Sequence, residues 1–180
     1  MLSSSRMTDR AATRNYAIGM PSNPASPLVA PPLLDHFAAL RVEVGMPQDV
    51  GVTPRGRRRL IPIIGGSAEG HGWQARVAAG GADFQLITAS GMTDLDARYT
   101  LETDAGDWIY VQNTALRCGA PDAMARLARG EPVDPAEIYF RCAPRFETAS
   151  GALGWINERL FIGSGVRRPD CVEMAFFTLT

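Results

Sequence analysis

Two glycine pairs, Gly65–Gly66 and Gly80–Gly81, bracket Gly70, Gly72 and Trp73 and then deliver Asp83. Only glycine enters positive φ without a steric penalty, so glycine pairs between short apolar runs act as turns and bulges of a closely turning β-protein. Period-two runs fit the same picture at residues 37–44, 59–64, 70–78, 83–89, 97–103, 108–114, 138–145, 155–163 and 171–179, most of them separated by Gly, Pro, Asp or Asn. Only residues 121–129 have helical spacing, with Met124, Leu127 and Ala128 on one side before Gly130.

About nine strands with one short helix must hide their edges, and closing the sheet on itself does so while creating an inside and an outside. The expected fold is therefore all-β: a closed antiparallel β-barrel of nine or ten strands, with a β-sandwich as the alternative. A chain of 180 residues with 46% hydrophobic and 21% charged residues supports one such domain. Residues 1–32 are rich in Ser, Thr, Asn and Pro, ending in Pro21, Pro24, Pro27, Pro31 and Pro32. That composition resists regular structure and predicts an irregular arm ahead of a barrel at 33–180.

Charge and residue usage exclude several function classes. All 18 Lys-plus-Arg residues are Arg, which removes Schiff-base chemistry, a P-loop lysine and any lysine base. A net charge of -1 argues against a nucleic-acid groove. The cluster Arg55, Arg57, Arg58 and Arg59 reads as a solvated loop or an oligomer contact. Cys118, Cys142 and Cys171 have no zinc spacing, and His36 and His71 are the only imidazoles, so neither a metal nor another cofactor is expected. With no signal peptide and no membrane-spanning run, a cytoplasmic protein is expected, acting on a small molecule without nucleic-acid or membrane partners, as a homo-oligomer.

Strand alternation sorts side chains onto faces. In 97–103, Arg98, Thr100 and Glu102 oppose Ala97, Tyr99 and Leu101. In 138–145, Tyr139 and Arg141 oppose Ile138, Phe140 and Cys142. In 155–162, Asn157 and Arg159 share a face with Trp155 and Phe161. Mixed aromatic and polar faces suit a ligand cavity; the alternative is that they simply meet water.

The ordered blocks Gly56-Arg57-Arg58, Ile61-Pro62-Ile63-Ile64-Gly65-Gly66, Gly80-Gly81-Ala82-Asp83-Phe84-Gln85, Leu95-Asp96-Ala97-Arg98-Tyr99, Tyr139-Phe140-Arg141, Phe146-Glu147-Thr148 and Trp155-Ile156-Asn157 resemble the domain-of-unknown-function family 3237 of bacteria and fungi. The resemblance spans about 32–180 and implies a small β-barrel. It implies little about activity, and departures at Phe84, Asp107 and Thr114–Ala115 mean that substrate identity is not inherited from relatives.

Asp83 is the first candidate for chemistry. It follows two glycines, so backbone can approach a ligand closely, and it shares a face with Gln85. A carboxylate desolvated at a barrel mouth becomes a usable acid or base near neutrality. The alternative is that it caps the Gly80–Gly81 turn. Arg98 is the candidate for binding a carboxylate, enolate or phenolate, or else for a structural pair with Glu102 or Glu147. Tyr139 offers a phenolic donor, and Arg141, two residues on, a permanent cation. Trp73 and Trp155 would favour a planar guest, while Glu147 and Asn157 would orient other groups. His71 would sit at the rim as a titratable ring. These residues point to a cofactor-free isomerase, cyclase or lyase with Asp83, Arg98 and Tyr139 as catalytic groups, acting on a small aromatic or enolisable metabolite. The alternative is a barrel that holds an apolar or aromatic ligand without reacting.

Overall fold

The structure, a computed structural model, describes residues 29–180. Nearly all of the expected N-terminal arm lies outside them. Ten strands follow in order: β1 (Leu34–Val44), β2 (Gln48–Thr53), β3 (Gly56–Gly70), β4 (Trp73–Val77), β5 (Ala82–Ile87), β6 (Thr93–Thr103), β7 (Trp108–Gly119), β8 (Ile138–Thr148), β9 (Phe161–Arg167) and β10 (Cys171–Leu179). One helix, α1 (Pro121–Ala128), links β7 to β8.

All pairings are antiparallel, and the ring runs β1, β10, β9, β8, β7, β6 and back through β3 to β1. Between β6 and β3 one position is shared by two short strands: β4 pairs with the C-terminal part of β3 and β5 with its N-terminal part. The barrel thus has eight positions around it, with β2 hydrogen-bonded to β3 as a further strand. This is the closed antiparallel barrel expected from the edge argument.

The glycine pairs build the irregularities that let the ring close. Gly66 adopts φ 130°, and a Cβ there would collide with the Arg41 carbonyl where β1 crosses β3. At Gly81 a Cβ would lie 2.6 Å from the Arg98 carbonyl oxygen, so only glycine lets the link between β4 and β5 run this close to β6.

Three expectations of the strand pattern are corrected. Residues 48–53 form β2, which their Gly and polar content did not signal. The run 70–78 is broken by a turn at His71–Gly72, where Gly72 takes φ 79°. The first half of 155–163 is a 3-10 turn (Gly154–Glu158), and β9 starts only at Phe161. Asn157 stands in that turn bonded to backbone: its Oδ1 accepts from the Thr148 backbone nitrogen at 2.9 Å and its Nδ2 donates to the Thr148 carbonyl at 3.0 Å. A side chain that supplies backbone partners in this way offers the chain an alternative to the ladder.

The interior has two unlike ends. At one, Phe37, Phe146, Phe161 and Phe176 interlock with ring centroids 4.8–5.7 Å apart, over fully buried Leu101, Ile109 and Val111. Packing of this density fills the space between the strands. Towards the other end the same strands turn inward smaller or polar residues, and a cavity remains.

Candidate active site

Alternation along five strands delivers the polar interior. On β7 the inward series is Ile109, Val111, Asn113, Ala115 and Arg117; on β6 it is Thr93, Leu95, Ala97, Tyr99 and Leu101. The same period places Asp83 and Gln85 inside on β5, Arg59 beside Ile61 on β3, and Arg167 at the end of β9. Of these, Asp83, Gln85, Tyr99, Asn113, Arg117 and Arg167 line a cavity of about 40 Å³ whose remaining wall includes Val42, Val44, Ile63 and Phe140. Above it a chamber of about 240 Å³ opens under Met124 and Leu127 of α1 and shares Ile61, Gln85, Arg117 and Arg167 with it.

A hydrogen-bond chain orders this mouth. Arg59 Nη2 donates to Gln85 Oε1 at 3.0 Å, and Gln85 Nε2 donates to Asp83 Oδ2 at 2.6 Å. The guanidinium therefore turns the amide so that its NH₂ faces the carboxylate. Asp83 Oδ1 has no partner and no contact with bulk water. Arg117 is only 5% exposed, lies over the Phe140 ring at 5.6 Å and leaves its Nε unpartnered; the Nε of Arg59 is likewise orphaned. Arg167 is anchored through Nη1 to the Cys171 carbonyl (3.0 Å) and through Nη2 to that of Pro169 (3.1 Å). Deeper inside, the Tyr99 hydroxyl and Asn113 Oδ1 are also without partners, while Asn113 Nδ2 contacts Met174 Sδ at 3.6 Å.

Buried polar atoms in a folded protein are nearly always satisfied. Five orphans around one interior mark a place prepared for something other than packing. Burial pushes the Asp83 carboxyl above the usual carboxylate range, against the Gln85 hydrogen bond and the Arg117 charge, which pull it down. Burial also lowers Arg117, to about 10, and lowers Arg59 and Arg167. The Tyr99 phenol is pushed up for the same reason. The site thus holds one carboxyl whose proton affinity burial raises and three guanidiniums whose proton affinity burial lowers.

Of the residues singled out in the sequence, the interior unites Asp83 and Gln85. Arg98 points outward and pairs with Asp96 at 3.0 Å, so it does not converge with Asp83 as expected. Tyr139, 52% exposed, and Arg141 stack on each other outside the barrel at 5.3 Å, and Glu147 also faces solvent, because the inward series of β8 is Phe140, Cys142, Pro144 and Phe146. Trp73 and Trp155 pack on Phe37 at the aromatic end, with His71 in the adjoining turn. Asn157 serves the backbone of Thr148 there.

Arg59, Arg117, Arg167, Tyr99 and Asn113 were not among the expected site residues. Extending the alternation of Ile109 and Val111 along β7 reaches Asn113 and Arg117, and that of Ile61 and Ile63 along β3 reaches Arg59, which therefore leaves the solvated cluster assigned to it.

Residues 32–179 match the family model described as "Protein of unknown function (DUF3237)". The chain belongs to the DUF3237 family. A UPF0311 protein of Rhodopseudomonas palustris is 42% identical to this DUF3237 chain over 137 residues, covering 76% of this chain and 90% of the relative. A crystal structure of a conserved protein of unknown function from the same organism superposes with a TM-score of 0.82 at 37% identity, covering 84% of this chain and all of the other. A β-barrel-like protein from Acinetobacter baumannii gives 0.75 at 35% identity, over 84% and 98% of the two chains. A protein described as an enzyme from Penicillium herquei shares the fold, with a TM-score of 0.65 at 18% identity over 87% of this chain and 100% of that one. Among the described residues no helix is long and apolar enough to cross a membrane.

Proposed function

We propose that this DUF3237 barrel is a cofactor-independent acid/base enzyme, an isomerase, cyclase or lyase, acting on a small aromatic or enolisable metabolite. The observation that carries the reading is the Asp83 carboxyl, fixed at Oδ2 by Gln85, with Oδ1 buried and without a partner. A general acid or base needs one fixed and one available lone pair, and a pKa brought towards the working pH. Asp83 ionised removes a proton from the bound substrate; Asp83 protonated returns it at a second position or to a leaving group. The negative charge that develops on the substrate oxygen in between lies within the field of the buried Arg117 and the half-buried Arg59 and Arg167. This gives Arg117 and Tyr99 the roles that the sequence pattern suggested for Arg98 and Tyr139. The likeness to the Penicillium herquei enzyme concerns the fold alone.

A carrier role draws on the apolar wall of Val42, Val44, Ile61, Ile63 and Leu95. Incubating the protein in D₂O with a panel of enolisable and phenolic compounds, and following loss of exchangeable C–H signals by proton NMR, separates the two. The acid/base reading expects exchange in the native protein that falls at least roughly 100-fold in Asp83→Asn. Exchange untouched by that change would remove Asp83 from the chemistry, and binding without exchange would favour the carrier.

A further inference from the structure

Resting on the same interior, we propose that the ligand enters as a small organic carboxylate, its charged head on Arg117 and its apolar body in the chamber under α1.

Charge balance is the first ground. Among the described residues Asp83 is the one carboxylate lining this space, against Arg59, Arg117 and Arg167, and burial raises its pKa. An uncompensated buried cation is costly, so a site with two or three excess guanidiniums is completed by an anion. Geometry is the second. Arg117 is more than nine-tenths buried, its guanidinium carbon lies 5.6 Å from the Phe140 ring centroid, and its Nε–H is orphaned. The Nε edge of a guanidinium is the one that takes a carboxylate side-on through two parallel bonds; Arg57 does this to Asp49 on the outer surface of this molecule through Nε and Nη2. Arg117 lines the chamber, and no side chain of the described residues answers its Nε. Shape is the third. Beside its guanidiniums the chamber of about 240 Å³ is walled by Ile61, Ile87, Met124, Ala125, Leu127 and Ala128, an apolar surface that suits a ring or short chain and that a bare inorganic ion would leave unused.

The test is titration calorimetry of the purified full chain at neutral pH with benzoate and its neutral isostere benzamide. Benzoate is expected to bind at least about tenfold more tightly, as a charge-assisted pair of bonds gives. Arg117→Gln is expected to erase that preference while leaving benzamide binding as it was. Asp83→Asn, which removes the competing negative charge, is expected to tighten benzoate binding several-fold. Should Arg117→Gln not fold, Arg117→Lys takes its place and is expected to lose most of the preference, because an ammonium lacks the planar fork. Equal affinity for benzoate and benzamide, a preference that survives in the Arg117 variant, or displacement of benzoate by equimolar inorganic phosphate would each overturn the assignment. The Asp83→Asn arm separates this proposal from the catalytic one: tighter benzoate binding with unchanged proton exchange leaves the ligand class standing and removes Asp83 as the acid/base group. Lost exchange with no benzoate preference does the reverse.

Discussion

Asp83 and Arg117 line one cavity from β5 and β7 without forming an ion pair; the carboxylate bonds to Gln85 instead, at 2.6 Å, and the Arg117 Nε stays unpartnered. Two opposite charges kept apart in a sealed interior cost stability that direct contact would relieve. Such an arrangement persists where a third group is meant to come between them, and it accounts for both the proton-transfer and the ligand assignments.

The Asp83 carboxyl has a pKa above its unfolded value, so the folded state binds that proton more tightly. Stability therefore falls as pH rises from the unfolded value through the folded one. Gln85, Arg59, Arg117, Arg167 and Asp96 are the groups around it, and the direction is the net of them all. Asp83→Asn is expected to raise the urea midpoint at pH 7 to 8, with the gain shrinking towards pH 4. A gain independent of pH would disconnect it from ionisation.

Arg117→Met is expected to raise stability by about 1 kcal/mol, since it replaces a buried unpaired cation with an apolar chain of similar length. The same variant should lose benzoate binding. Chemical denaturation and calorimetry on one preparation check both, and a destabilised protein would mean that Arg117 holds the fold rather than a ligand.

Gly66→Ala places a Cβ against the Arg41 carbonyl at φ 130°. A loss of order 1–3 kcal/mol is expected from the strained backbone alone, read as a lower urea midpoint. A wild-type midpoint would show that the positive φ at Gly66 is not needed where β3 pairs with β1.

Asn157→Ala removes both side-chain bonds to Thr148 and is expected to cost on the order of 1–2 kcal/mol. Ligand affinity should not change, because the residue lies at the aromatic end. Arg98→Gln and Tyr139→Phe, on the outer face, should alter neither the melting temperature nor benzoate binding. A shift in affinity from any of the three would move the site away from Asp83.

The fold was legible because its determinants are local. Gly66, Gly72 and Gly81 mark the crossing, turn and link that the glycine spacing implies, and the helix 121–129 ends one residue short of expectation at Ala128, before Gly130. The site was half legible. Asp83 and Gln85 follow from a glycine pair and a two-residue period, whereas Arg98, Tyr139 and Arg141 were assigned inward on residue type although their strand neighbours Tyr99 and Phe140 carry the apolar face. Arg59 and Arg117 look like surface residues in a linear reading. That a guanidinium continues an inward apolar series becomes visible only once β3 and β7 are known to run to the barrel mouth. Asn157 misled for another reason, since its bonds to Thr148 depend on a partner nine residues away.

Carbon-13 NMR of the Asp83 carboxyl, followed across pH in the native protein and assigned with Asp83→Asn, tests the central claim most directly. The account expects a midpoint clearly above the roughly 3.9 of a free aspartate, falling when benzoate is replaced by buffer alone. A midpoint at or below that value would show a solvated or salt-bridged carboxylate and contradict a sealed interior that holds a proton for chemistry.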